Sequence, residues 1–95
     1  MTDQQKQTFL GVVVGAKAKN GTCITGMIDH AIEQATSRGY GASHIKNVIE
    51  TGDYTPGNKP NRTAFEKNGL RVIVDDNDGK IVTVIRIHKR KREKG

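Results

Sequence analysis

Two stretches near the C-terminal end of the chain alternate between apolar and polar side chains, which is the pattern of a half-buried β-strand. The first is Leu70–Asp75 and the second is Ile81–Ile87, with the segment DNDG at 76–79 between them. A short segment rich in Asp, Asn and Gly is typical of a hairpin turn. The pattern predicts a β-hairpin over Leu70–His88, and we expect one of its faces to be the floor of any active or binding surface.

The two faces of this hairpin differ in chemistry. The first strand alternates Leu70, Val72 and Val74 with Arg71, Ile73 and Asp75. The second strand alternates Ile81, Thr83, Ile85 and Ile87 with Val82, Val84, Arg86 and His88. Alternation does not say which face is buried, so two assignments stay open. The functional face carries either Thr83 or the arginines Arg71 and Arg86.

Upstream of the hairpin, apolar residues recur with helical spacing. A helix is predicted over Thr22–Arg38, with Thr25 as its cap and Gly39 just past its end. Its apolar stripe consists of Ile28, Ala31, Ile32 and Ala35. A second, shorter helix is predicted over Ser43–Thr51. Because only a few residues separate the two helices, we expect them to form an αα-hairpin.

The remaining segments complete the predicted fold. Met1–Gln7 is expected to be frayed, Phe9–Val14 to be a short strand, Asp53–Arg62 to be a loop and Thr63–Lys67 to be a short strand. The predicted class is α+β, with an N-terminal α-helical hairpin packed on a twisted antiparallel β-sheet of about three to four strands. We expect 1–95 to be one domain, in which 1–20 is a linker or edge segment and 89–95 is a basic tail.

Charge narrows the class of partner. The chain has 16 Lys and Arg residues against 10 Asp and Glu residues, a net charge of +6, and the last ten residues alone contribute +5 of it. A basic end of this kind is either a solvated tail or an arm that binds nucleic acid. No segment resembles a membrane span or a signal peptide, so we expect a soluble chain with no insertion into a membrane.

Several kinds of chemistry find no support in the sequence. The single cysteine, Cys23, excludes an internal disulfide. The histidines His30, His44 and His88 lack metal-ligand spacing, and no glycine-rich phosphate loop precedes a helix, so we expect neither a metal nor a cofactor. What remains suits metal-free RNA cleavage. That reaction needs a base for the ribose 2′-hydroxyl, an acid for the leaving oxygen and donors at the phosphorane.

Four residues are candidates for this catalysis. His30 lies on the polar side of the first predicted helix. Its neutral form near pH 7 can accept a proton, although it could equally be a surface histidine. Thr83 is a hydroxyl among isoleucines, so it is either a phosphate donor or an ordinary strand residue. Arg62 and Tyr54 flank the proline-rich segment, where Tyr54 either stacks on a base or packs the loop. Candidates for binding RNA are Lys46, Lys59, Arg71 and Arg86, of which Lys46 is otherwise a solvated lysine.

Two segments resemble a known family. DHAIEQATSRGYGASHIKNVIETGDY at 29–54 and GLRVIVDDNDGKIVTVIRI at 69–87 are similar to toxin domains of the barnase–EndoU–colicin–RelE (BECR) ribonuclease superfamily, found at the C-terminus of contact-dependent growth inhibition and other polymorphic bacterial toxins. The matching motifs are His30 early in the helix, Arg38-Gly39 at its end, and Gly79 to Val84 in the final hairpin. The resemblance covers about 26–87.

The resemblance implies a metal-independent toxin endoribonuclease that cleaves tRNA by 2′-hydroxyl attack and leaves a 2′,3′-cyclic phosphate. It implies delivery to the cytoplasm of a target bacterium as part of a secreted or cell-surface effector, and neutralisation by a cognate immunity protein. That partner is expected to be acidic, to match the basic chain. His30 and Thr83 carry over best, and Arg62 and Tyr54 carry over weakly. The alternatives are a non-catalytic nucleic-acid-binding module, an mRNA-cleaving toxin of a toxin–antitoxin pair, and a housekeeping domain without a catalytic role.

Overall fold

The described part of the chain folds into three helices and a five-stranded sheet. We describe a computed structural model that covers residues 3–57 and 59–87, so the predictions for His88 and for the tail at 89–95 lie outside the described residues. The elements in order are α1 (Asp3–Val13), β1 (Gly26–Met27), α2 (Asp29–Ser37), α3 (Ala42–Thr51), β2 (Asp53–Pro56), β3 (Arg62–Lys67), β4 (Leu70–Asp75) and β5 (Lys80–Arg86). The α+β class is therefore confirmed.

The sheet is larger than predicted and is not purely antiparallel. Its strand order is β1-β5-β4-β3-β2. The short strand β1 runs parallel to β5, and the other neighbours are antiparallel. The prediction of about three to four antiparallel strands is wrong because β1 and β2 lie in segments assigned to a helix and a loop. β1 is too short to show a period of two, and β2 contains a proline, which is tolerated only at the edge of a sheet.

The N-terminal segment is helical, which corrects two predictions. Asp3–Val13 forms α1, where a frayed end and then a strand over Phe9–Val14 were expected. Phe9 and Val13 are both buried and lie four residues apart, on one face of the helix. A short apolar run does not reveal its own period, and packing of α1 against α3 selects the helix here.

The helix predicted over Thr22–Arg38 is shorter, because Gly26 and Met27 belong to strand β1 and the helix begins only after them. α2 begins at Asp29, with Ile28 at the N-cap position and no side-chain cap. Thr25 is not the cap. Its hydroxyl donates to the Asp78 carbonyl over 2.5 Å and its N–H donates to the Gly79 carbonyl over 2.8 Å, which ties this segment to the turn between β4 and β5.

The second helix and the loop after it are close to their predicted positions, with one change. α3 covers Ala42–Thr51, one residue longer than predicted. The predicted loop over Asp53–Arg62 contains the edge strand β2, and Arg62 is the first residue of β3. Gly52 makes the sharp turn into β2, where a side chain would collide with the carbonyl groups of Val48 and Glu66.

The predicted αα-hairpin is wrong in its packing. α2 lies against β5, whereas α3 packs on α1, β3 and β4. The packing partner of α3 is therefore α1, which was not predicted as a helix, and not α2. All three helices contribute to one core on a single face of the sheet. The fully buried core side chains include Val13, Ile24, Ile32, Ile45, Val48, Ile49, Phe65, Leu70, Val72, Val74, Ile81 and Val84.

A β-bulge in β5 decides which face each residue of that strand occupies. Val74 pairs with Ile81 and Ile73 pairs with Thr83, so Val82 is the additional residue. Ile81 and Val84 are both fully buried on the helix-covered face. Thr83 consequently shares a face with Ile73, and the prediction that Ile81 and Thr83 point the same way is wrong.

The side of β5 that faces away from β4 is closed in part by a helix side chain. The Gln34 Oε1 atom on α2 accepts a hydrogen bond from the Val84 N–H over 3.1 Å. β1 covers the same edge only at Lys80 and Ile81. Within the described residues, no helix is both long enough and apolar enough to cross a membrane.

Candidate functional site on the open face of the sheet

The sheet face on which none of the three described helices packs, called the open face below, is built from cross-strand rows. Register partners in neighbouring strands point to the same side of a sheet. The rows are Thr55–Ala64–Ile73–Thr83, Asp53–Glu66–Arg71–Ile85 and Arg62–Asp75–Lys80. The open face thus carries hydroxyl, carboxylate, guanidinium and ammonium groups on a small apolar floor.

The closest ionic contact on the open face joins Glu66 to Arg71. The Arg71 Nε and Nη2 atoms lie 2.6 Å and 2.5 Å from the Glu66 Oε2 atom. The two residues are register partners just beyond the turn at Asn68 and Gly69, so the backbone holds them side by side. The Arg71 side chain is 41% exposed and the Glu66 side chain is 28% exposed, which leaves the pair accessible. A guanidinium has five N–H donors, and this contact occupies at most two of them.

A second and looser pair lies two rows away, beyond the row that contains Ile73 and Thr83. The Arg62 Nε atom is 3.7 Å from the Asp75 Oδ2 atom. The cations of the rows are Arg62, Arg71 and Lys80, and the anions are Asp53, Glu66 and Asp75. Among the described residues, the rows of the open face carry three charges of each sign and are electrically balanced, although the whole chain carries +6.

A shallow pocket of about 280 Å³ opens beside the Glu66–Arg71 pair. Ala64 and Ile73 form part of its lining and are nearly buried, although no helix covers them. The rest of its lining is Thr55, Pro56, Gly57, Arg71 and Ile85. The pocket therefore combines an apolar floor with one guanidinium wall, which suits a group that is planar or sugar-like and carries a negative charge.

A second recess of about 340 Å³, here called the edge recess, lies on the other side of β2. It is lined by Asn20, Tyr54, Thr55, Pro56, Arg62, Thr63 and Asp76. Thr63 is nearly buried, and its hydroxyl donates to the Asp76 Oδ2 atom over 2.8 Å. Asn20 approaches the same hydroxyl, with 3.4 Å between its Nδ2 atom and Thr63 Oγ1. These contacts join the loop before β1, the start of β3 and the turn after β4.

The predicted catalytic residues are divided between two sides of the sheet. Arg62, Arg71 and Thr83 come together on the open face. His30 lies exposed on α2, which packs against the opposite face. Tyr54 points to the helix-covered side at the edge of the sheet, where its ring lies 5.9 Å from that of Phe65. The structure therefore does not bring His30 and Thr83 together.

The predicted RNA-binding lysines and Arg86 are also dispersed. Lys46 lies on α3 with its Nζ atom 3.4 Å from Glu50 Oε2. Lys59 is exposed in the loop between β2 and β3. Arg86 is exposed at the end of β5 and shares a row with Leu70 and Lys67, on the helix-covered side. Only Arg71 of this group lies on the open face.

Two carboxylates of these sites were not predicted from the sequence, for different reasons. Glu66 could have been found, because an Asn-Gly turn between alternating strands pairs Lys67 with Leu70 and therefore Glu66 with Arg71. Asp76 could not, because its partners Thr63 and Thr22 lie 13 and 54 residues away along the chain. Contacts of that kind depend on the tertiary fold.

In the part of the chain that the structure describes, no group of three or more His, Cys, Asp or Glu side chains is placed to hold a metal ion. No protein-family model, curated protein or solved structure matches the chain.

Proposed function

We propose that this chain is a metal-independent endoribonuclease whose active site is the open face of the sheet. The observation that supports this is the accessible Glu66–Arg71 pair beside a pocket with an apolar floor. A carboxylate in contact with a guanidinium provides a proton acceptor and an anion-binding group within one site. We further propose tRNA as the substrate, from the resemblance to BECR toxin domains.

The reaction uses groups of the chain alone. Glu66 takes the proton of a ribose 2′-hydroxyl, and the 2′-oxygen attacks the adjacent phosphorus. The bond from phosphorus to the 5′-oxygen breaks, the leaving oxygen takes a proton from solvent, and a 2′,3′-cyclic phosphate remains. Arg71 donates its free N–H groups to the non-bridging phosphate oxygens, where negative charge accumulates in the transition state.

Other groups of the open face support the same step. Thr83 shares a face with Arg71 and offers a hydroxyl donor to the phosphate. Arg62 lies on the far side of the middle row and is only loosely paired, so it can turn toward the backbone of the RNA. His30 has no part in this arrangement, because α2 packs against the opposite face of the sheet.

The balanced charge of the open face means that long-range attraction of RNA must come from elsewhere. Residues 86–95 hold +5 of the net charge of +6. Arg86 follows directly after Ile85, the register partner of Arg71, so the basic segment begins at the edge of the site. We propose that this segment steers RNA, and that an acidic immunity protein neutralises the toxin by competing for the same positive charge.

The proposal is tested by incubating the protein with total tRNA in EDTA. We expect cleavage by the wild-type chain and a loss of about 100-fold to 10,000-fold in rate for Glu66→Gln, because the substitution removes the base. The matched control is Glu50→Gln, which removes a carboxylate that is also paired, with Lys46, but on a helix. The control is expected to cleave at the wild-type rate.

Two outcomes would contradict parts of the proposal. Intact tRNA together with normal growth of cells expressing the wild-type chain would contradict the ribonuclease activity. Cleavage that is lost in His30→Ala and retained in Glu66→Gln would keep the activity and move the site to the helix side of the sheet. Cell delivery is tested separately, by fusing the chain to an effector and measuring growth of neighbouring cells with and without the immunity gene.

The second candidate is a non-catalytic nucleic-acid-binding module. It is favoured by two cations that share a row at the end of the sheet, the half-buried Lys67 and the exposed Arg86, where the basic segment of the sequence begins. In that case RNA binds without cleavage, Glu66→Gln leaves the affinity unchanged, and the affinity falls steeply with salt. The mRNA-cleaving toxin of a toxin–antitoxin pair is the remaining alternative, and it predicts cleavage of mRNA only on the ribosome.

A further inference from the structure

The edge recess has the form of a site for a flat, polar ring. Tyr54 lies at its rim with 48% of its surface exposed, and it is one of the few exposed large hydrophobic residues among those described. Phe65 lies behind the tyrosine ring, at a centroid distance of 5.9 Å, and is fully buried. An exposed aromatic ring that is held from behind is a stacking platform that loses little conformational entropy when a base lies on it.

The polar groups of the edge recess have a defined order of donors and acceptors. The Thr22 N–H donates to the Asn20 Oδ1 atom over 3.1 Å, which fixes the orientation of this amide and turns its Nδ2 atom toward the recess. Asp76 supplies a carboxylate on the other side of Thr63. The recess therefore offers an N–H donor from Asn20 and acceptor oxygens from Asp76.

The contacts that orient Asp76 leave it able to bind a ligand. Its Oδ2 atom accepts the Thr63 hydroxyl at 2.8 Å, and its Oδ1 atom is 3.4 Å from the Thr22 hydroxyl. The backbone N–H of Asp76 donates to the Asn61 carbonyl at 2.7 Å, which fixes the residue itself. A carboxylate can accept about four hydrogen bonds, so capacity for two further donors remains.

We propose that the edge recess is a nucleobase subsite selective for guanine. The Watson–Crick edge of guanine presents one acceptor, O6, followed by two donors, N1–H and the 2-amino group. That order matches the Asn20 donor and the Asp76 acceptors. The corresponding edges of adenine and cytosine present acceptors at the ring nitrogen, which the carboxylate would repel, and uracil has a single donor between two acceptors.

The position of the edge recess relates this subsite to the open face. Thr55 and Pro56 line both the edge recess and the pocket beside Arg71, because β2 is a single edge strand with one cavity on each side. A nucleotide with its base in the edge recess can therefore pass its backbone around β2 toward Arg71. In this respect the inference rests on the proposed ribonuclease function, for which it names the base next to the cleaved bond. The base selectivity itself does not depend on cleavage.

The test measures binding of 5′-GMP, 5′-IMP and 5′-AMP to the whole chain by NMR titration, with no cleavage step. We expect 5′-GMP to bind at least about tenfold more tightly than 5′-AMP, since two hydrogen bonds to a carboxylate are gained. 5′-IMP, which lacks the 2-amino group, should be intermediate. This comparison needs no variant, so it remains informative if a substitution unfolds the protein.

Variants then assign the selectivity to residues. Asp76→Asn should reduce the preference for 5′-GMP over 5′-AMP to about threefold or less, because one acceptor is replaced by a donor. The matched control is Asp78→Asn in the same turn, whose side chain does not line the edge recess. Tyr54→Leu should weaken the binding of all three nucleotides to the same extent, by about tenfold, since stacking does not distinguish the bases.

Equal affinities of the wild-type chain for 5′-GMP and 5′-AMP, or a preference that Asp76→Asn and Asp78→Asn change to the same extent, would overturn the inference. The outcomes for the two proposals are separable. Guanine-selective binding with intact tRNA would retain the subsite and remove the nuclease. Cleavage of tRNA without any preference for guanine next to the cut would retain the nuclease and remove the subsite.

Discussion

The two faces of the sheet are made from the same strands but use their residues differently. The helix-covered face is lined by fully buried aliphatic side chains such as Leu70 and Ile81. On the open face Ile73 is only 7% exposed, although no helix lies over it. Arg71 lines the same pocket as Ile73, and the aliphatic stem of an arginine can shield apolar surface while the head stays in water. The covered face contributes most of the stability, and the open face keeps charged groups accessible.

The largest expected effect on stability comes from comparing the same substitution, isoleucine to alanine, at two positions of β5 that lie on opposite faces of the sheet. Ile81→Ala should lower the free energy of unfolding by about 2–5 kcal/mol, because it leaves a cavity in the core. Ile85→Ala, on the open face, should cost about 1 kcal/mol, since that side chain is only half-buried. Equilibrium urea denaturation measures both. Equal losses of stability would show that the open face is covered by protein in solution, which would contradict the difference between a buried and an accessible face.

A smaller effect is expected where the chain crosses from β4 to β5. Gly79 has φ +72°, and an added Cβ would also collide with the carbonyl oxygen of Cys23. Gly39, at the end of α2, has φ +81° but open space around it. Gly79→Ala should therefore cost at least about 2 kcal/mol and Gly39→Ala about 1 kcal/mol, measured by the same denaturation. A larger loss for Gly39→Ala than for Gly79→Ala would contradict the close approach of the Cys23 carbonyl to Gly79.

The smallest expected change in stability compares two threonines. Thr63→Val should destabilise the fold by about 1–2 kcal/mol, because it removes a nearly buried hydroxyl that donates to Asp76. Thr83→Val should change stability by less than about 0.5 kcal/mol. The same substitution should lower the rate of tRNA cleavage by about tenfold or more, if the hydroxyl binds the phosphate. Thr83→Val with full activity would remove Thr83 from the proposed site.

Sequence reasoning recovered the elements whose periodicity is long enough to be unambiguous. The strands Arg62–Lys67 and Leu70–Asp75 and the helix Ala42–Thr51 lie within a residue of their predicted bounds. α1 was missed because a short apolar run fits a strand as well as a helix. β1 was missed because two residues carry no period, and it forms only because β5 offers it an edge.

The candidate site was predicted only in part. The bulge at Val82 places Thr83 on the face of Arg71, whereas Arg86 lies on the helix-covered side, so neither of the two assignments that alternation had left open is correct as a whole. A bulge depends on how two strands twist against each other, and the sequence of β5 gives no turn residue to mark it. The predicted pairing of His30 with Thr83 required both residues on one side of the sheet, and the tertiary fold separates them.

The hydrogen bond from Val84 N–H to Gln34 also bears on how the chain avoids self-association. Residues 81–87, IVTVIRI, are rich in β-branched side chains, carry one charge and contain no proline, which is the composition of segments that stack into amyloid-like sheets. In the fold, α2 lies along the outer edge of β5, and Gln34 accepts a hydrogen bond from one backbone N–H of that edge, at Val84. If α2 opens locally, this edge becomes a template for another chain. The free energy of that local opening, more than the stability of the whole domain, then sets the tendency of the protein to aggregate.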